Sequence, residues 1–276
     1  MNWFDLLISS FSYGFMWRAL IVGVAIAVSS SFIGPFLVLK KFSMIGHGLS
    51  HVAFAAVAIG LITNTEPLIV TMIIVVGVSI FILKLNEHAK VHGDAAIGLT
   101  AAFSMAFGTV LASVAGGFNI DLFTYLFGSI LTIQQIDVVL SITLSIVVVA
   151  VVIFLYHDLL AMTFEEEYAR VSGIKTRRLN TILAILVAMT IVIGMRAIGT
   201  ILISSLIIFP TVIAMQFNRG FKGTIIIAAI SEILIVTIGL FGSFVLDYPS
   251  GSSIVLLNGI VFFLIYITNV IRRLQF

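Results

Sequence analysis

Long apolar segments recur from one end of the sequence to the other, and short polar turns separate them. A helix of about 20 apolar residues spans the roughly 30 Å hydrocarbon core of a bilayer. Hydrophobic residues make up 61% of the chain and charged residues only 9%, against about 25% charged residues in soluble domains. We therefore predict an all-α polytopic membrane protein, with residues 1–276 forming a single integral-membrane domain.

Nine apolar segments are predicted to span the membrane. Eight spans remain an alternative, because residues 179–217 can be divided in more than one way. The predicted spans cover residues 15–39, a segment that carries two histidines and ends near 61, then 67–83, 95–115, 136–156, 179–194, 198–217, a segment ending near 246, and one ending at 271. Residues 122–133 are too short to cross and are expected to form a half-helix or a surface segment.

Lysine and arginine residues are concentrated in alternate turns. With nine spans, one side receives the basic residues at 40–41, 84–90, 170–178, 219–222 and 272–273, and Arg196 is the exception on the other side. Turns rich in lysine and arginine stay in the cytoplasm. This predicts an outside N-terminus and a cytoplasmic C-terminus. The net charge is +2, and the basic residues lie singly or in pairs at segment ends, which gives no support for a nucleic-acid partner.

His47 and His51 lie at the head of the second apolar segment. Residues four apart share one face of a helix. The small residues around them, Gly46, Gly48 and Ser50, allow another helix to approach closely. Imidazole suits zinc and related transition metals. His47 lies about 9 Å into the span, where polar groups usually face the bundle interior or a pathway. Simple hydrogen bonding to neighbouring helices is the alternative interpretation.

His88 and His92 have the same spacing, with Glu87 and Asp94 beside them. They fall in a turn that is predicted to be cytoplasmic. A solvated polar loop is the favoured interpretation. A metal relay on the exit side, or a regulatory metal site, is the alternative.

Two carboxylates in the last third of the chain are candidates for an ion path. Glu232 lies in the middle of the eighth segment, and an intramembrane carboxylate suggests a functional site. A buried hydrogen bond to a neighbouring serine or backbone carbonyl is equally supported. Asp247 borders the outer side, where it could receive an ion or cap a turn with Pro249 and Gly251.

Residues 163–178 form the longest polar insert. Thr163 and Glu166 predict a capping box that opens a short helix, and Gly173 predicts its end. A solvated charged face is one interpretation of this insert, but its length and its helix signals favour a coupling helix that fits a cytoplasmic partner. The chain has no phosphate-binding G-x-x-x-x-G-K-[ST] loop, so any ATP-driven activity would require a separate ATPase.

Six blocks, taken in order, resemble the membrane subunits of ATP-binding-cassette importers for manganese and zinc. They are KKFSMIGHGLSH at 40–51, DAAIG at 94–98, DLFTYLFGSIL at 121–131, FEEEYARVSGI at 164–174, AIGTILISSLIIFP at 197–210 and LDYPSG at 246–251. Each block alone is weakly specific, but their order along nearly the whole chain is strongly specific.

The resemblance implies a type II-like ABC importer permease fold in a bacterial cell membrane, surrounded by lipid. It also implies a homodimer, a cytoplasmic ABC ATPase and an extracellular metal-binding protein as partners. The permease itself would have no catalytic residue and no prosthetic group, because the ATPase subunit hydrolyses ATP. The insert corresponds to the segment that docks on the ATPase, with Glu165, Glu166, Tyr168, Arg170 and Gly173 as its candidate residues.

In the family this pair of positions, contributed by both copies of a homodimer, lines the metal path, so the resemblance favours a metal path past His47 and His51. The chain departs from this family at His47, where aspartate is usual. A symmetric site built from two copies would then hold up to four imidazoles and no carboxylate. Manganese prefers oxygen ligands and imidazole suits zinc, so we predict zinc over manganese. A manganese or iron importer is the alternative within the class. Outside it are an intramembrane metalloenzyme, with Glu232 as general base, and a secondary transporter, which would not need the docking insert.

Overall fold

The computed structural model describes residues 12–88, 93–114, 128 and 130–274, and within these ranges the regular structure is helical. The helices are α1 (Gly14–Leu39), α2 (Ile45–Ile62), α3 (Pro67–His88), α4 (Gly93–Val114), α5 (Gln135–Phe154), α6 (Tyr156–Phe164), α7 (Glu166–Val171), α8 (Thr176–Ile198), α9 (Thr200–Met215), α10 (Gly220–Leu246) and α11 (Ser250–Leu274), with a 3₁₀ turn at Ile130–Thr132. The predictions for His92 and for most of segment 121–131 lie outside the described residues.

Eight of these helices are long and apolar enough to cross a membrane: α1, α2, α3, α4, α5, α8, α10 and α11. The remaining apolar helix, α9, has 16 residues and a length of about 24 Å, which is less than the thickness of the hydrocarbon core. The predicted polytopic all-α fold is confirmed, with eight long spans and a ninth, shorter helix where the sequence was ambiguous.

The short helix α9 is surrounded by protein, since it packs against α1, α2, α8, α10 and α11. A helix enclosed by other helices does not have to match the bilayer thickness. Its contact with α1 is close, because a Cβ atom at Gly34 would lie 2.5 Å from the carbonyl oxygen of Ile207. Glycine at this position therefore lets the two backbones meet.

The break between α8 and α9 lies inside the bundle. A Cβ atom at Gly194 of α8 would lie 3.3 Å from Ile26, a residue about 18 Å along α1 from its start at Gly14. The break itself is at Gly199, whose φ of 96° and ψ of 150° form a conformation essentially restricted to glycine. The chain therefore turns at Gly199, about 10 Å before it reaches the level at which α1 starts. Helix α9 begins at this depth inside the bundle, and for this reason it is short.

Contacts between helix termini define two ends of the bundle. At one end, which we call the basic end, Lys40 pairs with Glu166, and Phe36 packs against Phe221 with ring centroids 4.8 Å apart. The C-terminal helix reaches the same end, because Asn269 Nδ2 donates a hydrogen bond to the Gln216 carbonyl oxygen. The chain therefore leaves the basic end with α8 and returns to it with α9, as the nine-passage count predicts.

The opposite end, which we call the outer end, joins the start of α1 to the end of α10, where the Tyr13 and Phe244 ring centroids are 5.9 Å apart. Of the 14 lysines and arginines, Lys90 is outside the described residues, and Arg18 and Arg196 lie nearer the outer end. The other 11 (14 minus 3) lie toward the basic end. The predicted segregation of cations is therefore a property of the fold.

The predicted capping box at Thr163 and Glu166 is wrong. Thr163 belongs to the last turn of α6, and its hydroxyl donates to the Leu159 carbonyl oxygen at 2.7 Å. The buried hydroxyl is thus already satisfied by its own helix. Glu165 precedes α7 as its N-cap and makes no side-chain capping hydrogen bond.

The predicted helix end at Gly173 is confirmed. Gly173 has a φ of +87°, its N–H donates to the Arg170 carbonyl oxygen at 3.1 Å, and the Ile174 N–H donates to that of Ala169 at 3.0 Å. This pair of bonds is a Schellman motif, in which glycine adopts the left-handed position at no steric cost.

Candidate metal site and docking segment

His47 and His51 occupy the first two turns of α2, and their Nε2 atoms are 3.2 Å apart. In the absence of an ion, one imidazole must donate its N–H to the other. Two nitrogens at this separation, each about 2.1 Å from a shared zinc ion, would subtend an angle of about 100° at the metal, close to tetrahedral. The separation of the two nitrogens therefore fits a shared hydrogen and also a shared zinc ion.

The histidine pair lies within the membrane-spanning part of α2. Gly60 of α2 packs on Pro67 of α3, since a Cβ atom at Gly60 would lie 2.8 Å from the Pro67 Cα atom. The two helices are antiparallel, so counting 13 residues from this contact along each of them places His47 level with residue 80 of α3. Residue 80 is about 8 Å from Leu85, where the membrane span of α3 ends. This depth is close to the one counted from the sequence.

Three of the sequence blocks converge around the histidine pair. A Cβ atom at Gly48 would lie 2.7 Å from Ile97 in the 94–98 block, and one at Gly46 would lie 3.3 Å from Ser204 in the 197–210 block. The glycines thus let α4 and α9 close around one side of α2. His47 is exposed on the opposite side, and an imidazole at this depth requires a polar partner or a polar path.

One chain supplies an incomplete metal shell. Among the described residues, no group of three or more histidine, cysteine, aspartate or glutamate side chains could hold a metal ion. The structure brings His47 and His51 together but leaves the other predicted residues elsewhere. His88 is the last residue of α3, and Asp247 is the exposed C-cap of α10 at the outer end, with a φ of 55°. Glu232 is fully buried and bonded to Asn258.

The insert is anchored to the bundle by a three-residue network at the basic end. Lys40 Nζ lies 3.0 Å from Glu166 Oε2 and donates to Asn180 Oδ1, and Asn180 Nδ2 donates to Glu166 Oε1 at 3.0 Å. The Lys40 side chain is only 9% exposed. The network therefore fastens α7 to the ends of α1 and α8. Sequence reasoning missed Asn180, because a single polar residue at a helix start carries no signal of its partner.

The solvent-facing surface of the insert carries three exposed apolar or aromatic side chains among charged ones. Phe164, Tyr168 and Val171 are 66%, 70% and 89% exposed, and Arg170 projects beside them with 68% of its side chain exposed. Exposed aromatic and aliphatic side chains on a helix at the end of a bundle are typical of a docking surface.

Arg196 and Asp137 form a second functional candidate that sequence reasoning missed. Arg196 Nη1 lies 2.8 Å from Asp137 Oδ1, with side-chain exposures of 17% and 4%. The only signal in the sequence was the presence of a lone cation in an otherwise uncharged outer turn. Its partner is 59 residues earlier in the chain and could not be identified from local pattern.

Eight helices long and apolar enough to cross a membrane, a short ninth helix packed among five of them, and a helical insert anchored at the basic end define a multi-pass membrane protein. The profile of the ABC 3 transport family matches residues 12–269. The chain therefore belongs to the ABC 3 transport family. It is a membrane permease subunit rather than an enzyme, and ATP hydrolysis belongs to a separate ATPase.

Named relatives cover nearly the whole chain. The high-affinity zinc uptake system membrane protein ZnuB of Haemophilus influenzae is 29% identical over 90% of this chain and 95% of its own length. The manganese import system permease protein ScaB of Streptococcus gordonii is 31% identical over 91% of this chain and 90% of its own. PsaBC from Streptococcus pneumoniae, solved in complex with Fab, superposes with a TM-score of 0.84 at 26% identity, covering 95% of this chain and 94% of that one.

Proposed function

We propose that this chain is the permease of an ATP-driven importer of a divalent transition metal, with zinc preferred over manganese. The observation that carries the proposal is the 3.2 Å separation of the His47 and His51 Nε2 atoms on an open face of α2. The names of the relatives support metal import in general, since one is named for zinc and another for manganese.

A homodimer supplies the ligands that one chain lacks. Two copies meeting at this face of α2 would place four imidazole nitrogens around one ion, which is the coordination number of zinc. No carboxylate contributes, and nitrogen ligands favour zinc over manganese. Transport also requires release, so the shell opens when the two copies move apart.

The basic end is the cytoplasmic end in this proposal, because lysine and arginine are retained there. The C-terminus is then cytoplasmic, the N-terminus is outside, and the protein lies in the bacterial cell membrane.

Tyr168 and Val171 dock on the ATPase at the cytoplasmic end. The bonds of Glu166 carry the movement of the ATPase to α1 and α8 as rigid-body motion. An extracellular metal-binding protein delivers the ion at the outer end, near Asp247. Roles for Asp247, His88 and His92 on the ion path remain predictions.

The test is metal uptake into reconstituted vesicles that contain the permease with its ATPase and binding protein. Wild type and His47→Asp are compared with zinc and with manganese, and His51→Ala serves as a variant that lacks one of the two nitrogens. We expect wild type to transport zinc, and His47→Asp to gain manganese uptake through its new oxygen ligand. His51→Ala should reduce zinc uptake at least about tenfold.

Equal manganese transport by wild type and His47→Asp would show that His47 does not set selectivity. Undiminished zinc uptake by His51→Ala would remove the histidine pair from the path. Reconstitution without the ATPase is the control, since an ABC permease should then import no metal.

A further inference from the structure

Glu232 of α10 and Asn258 of α11 form an isolated polar contact between two membrane-spanning helices. Both residues are fully buried, at 0% exposed surface. Asn258 Nδ2 donates to Glu232 Oε1 at 3.0 Å and also lies 3.4 Å from the Ile254 carbonyl oxygen. The Ile254 carbonyl oxygen can only accept, so the Asn258 amide nitrogen is assigned to the side that faces it.

The other half of this contact is unsatisfied. Glu232 Oε2 and Asn258 Oδ1 are buried and have no hydrogen-bond partner among the described residues. If the carboxyl is ionised, both atoms are acceptors, and neither can satisfy the other. A buried acceptor without a donor is strongly disfavoured. A hydrogen on Glu232 Oε2 would turn this acceptor into a donor, and Asn258 Oδ1 is the unsatisfied acceptor on the side chain that Glu232 already contacts.

No cation compensates a charge at Glu232 among the described residues. Helix α10 packs against α1, α9 and α11. Helix α9 has no charged residue, and the arginines of α11 are near its C-terminal end. Helix α1 contributes Arg18, but Gly23 packs against Val236, so Arg18 is about 13 Å from Glu232 along the helix axis. Within α10 the other charged residue is Lys222, about 15 Å away.

We propose that Glu232 and Asn258 are a proton-binding site in which the carboxyl is held neutral inside the membrane. The proton, taken from water, resides on Glu232 Oε2 and is donated to Asn258 Oδ1. The existing bond from Asn258 Nδ2 to Glu232 Oε1 completes a ring of two hydrogen bonds. Glu232 then holds α10 to α11 as a neutral group and provides no ligand to a transported cation.

Infrared spectroscopy of the purified permease in lipid nanodiscs tests this assignment directly. At pH 7 in deuterated buffer, wild type should show the carbonyl band of a protonated carboxylic acid that is missing from Glu232→Gln. In Asn258→Leu the band should move to higher frequency, because the carbonyl loses its hydrogen bond. A wild-type spectrum with only carboxylate bands at position 232 would overturn the proposal, as would a band unchanged in Asn258→Leu.

Transport provides a second readout. Glutamine can donate to Asn258 Oδ1 and accept from Asn258 Nδ2, so Glu232→Gln should keep metal uptake within about twofold of wild type. Loss of uptake in a folded Glu232→Gln protein would show that the negative charge is needed, which contradicts a neutral carboxyl. The infrared band does not depend on uptake, so it can be present even if the proposed metal specificity is wrong.

Discussion

Arg196 Nη1 lies 2.8 Å from Asp137 Oδ1, and this ion pair joins the last turn of α8 to the first turn of α5. Asp137 Oδ2 also accepts a hydrogen bond from the Gln134 N–H at 2.8 Å. One carboxylate therefore caps α5 and holds α8 next to the buried break at Gly199. Because Asp137 is 4% exposed, removing its partner leaves a charge with little access to water.

Replacement of Arg196 should destabilise the permease strongly. Arg196→Ala strands the Asp137 carboxylate and is expected to cost about 3–5 kcal/mol, measured as a lower thermal unfolding midpoint of the purified protein. The double variant Arg196→Met/Asp137→Asn should recover part of this loss, because it removes both charges. Arg178→Ala, on an exposed part of α8, is the matched control. Equal midpoints for Arg196→Ala and Arg178→Ala would contradict the buried role.

Lys40→Ala should weaken the connection between α7 and the rest of the bundle. It removes a charged donor from both Glu166 and Asn180, a loss of about 1.5–3 kcal/mol per hydrogen bond. We expect ATP hydrolysis in the reconstituted complex to become less dependent on metal and binding protein, with less metal imported per ATP. Lys41→Ala, at the exposed neighbouring position, controls for charge. Full coupling in Lys40→Ala would argue against transmission through this network.

A cysteine at position 47 should cross-link two copies of the permease. The wild-type chain has no cysteine, so His47→Cys carries a single thiol. A short bis-maleimide should give a dimer band on denaturing gels, because the proposal places position 47 of each copy beside the shared ion. Leu264→Cys, on the 61% exposed outer face of α11, is the control and should remain monomeric. Efficient cross-linking only through position 264 would move the interface to α11.

Gly108→Ala should destabilise the packing of α4 on α2. A Cβ atom there would lie 2.8 Å from the Phe54 ring and 3.0 Å from the Ala55 Cα atom, and overpacking of this kind costs about 1–3 kcal/mol. Gly98→Ala is a matched control in the same helix, where a Cβ atom meets nothing within 4 Å. The unfolding midpoint should fall for Gly108→Ala and stay level or rise for Gly98→Ala. The reverse order would contradict the close approach of these helices.

The sequence predicted the long helices well, because an apolar segment in a bilayer has few alternatives to a helix. For α1 and α2, the observed ends at Leu39 and Ile62 are within one residue of the predicted ends. The length of α9 was less predictable, since it depends on where Gly194 packs against α1. The predicted capping box at Thr163 was wrong for a different reason, because the Thr163 hydroxyl donates to a carbonyl oxygen of its own helix.

Pairing between distant residues was the part that could not be predicted. The spacing of His47 and His51 brings them together on any helix, so their proximity followed from the sequence. The partners of Lys40, Arg196 and Glu232 lie 126, 59 and 26 residues away along the chain. Only the packing of the bundle brings those groups into contact.

The presence of two candidate nitrogen ligands on each chain has a thermodynamic consequence for the proposed dimer. If one ion is held by both copies, metal binding and dimerisation are linked in one thermodynamic cycle. Any gain in metal affinity on dimerisation must then stabilise the dimer equally when metal is bound. Zinc would then tighten the dimer by the same factor by which the dimer tightens zinc. A partner that forces the two copies apart would lower metal affinity without touching either histidine, and ATP-driven movement could expel the ion in this way.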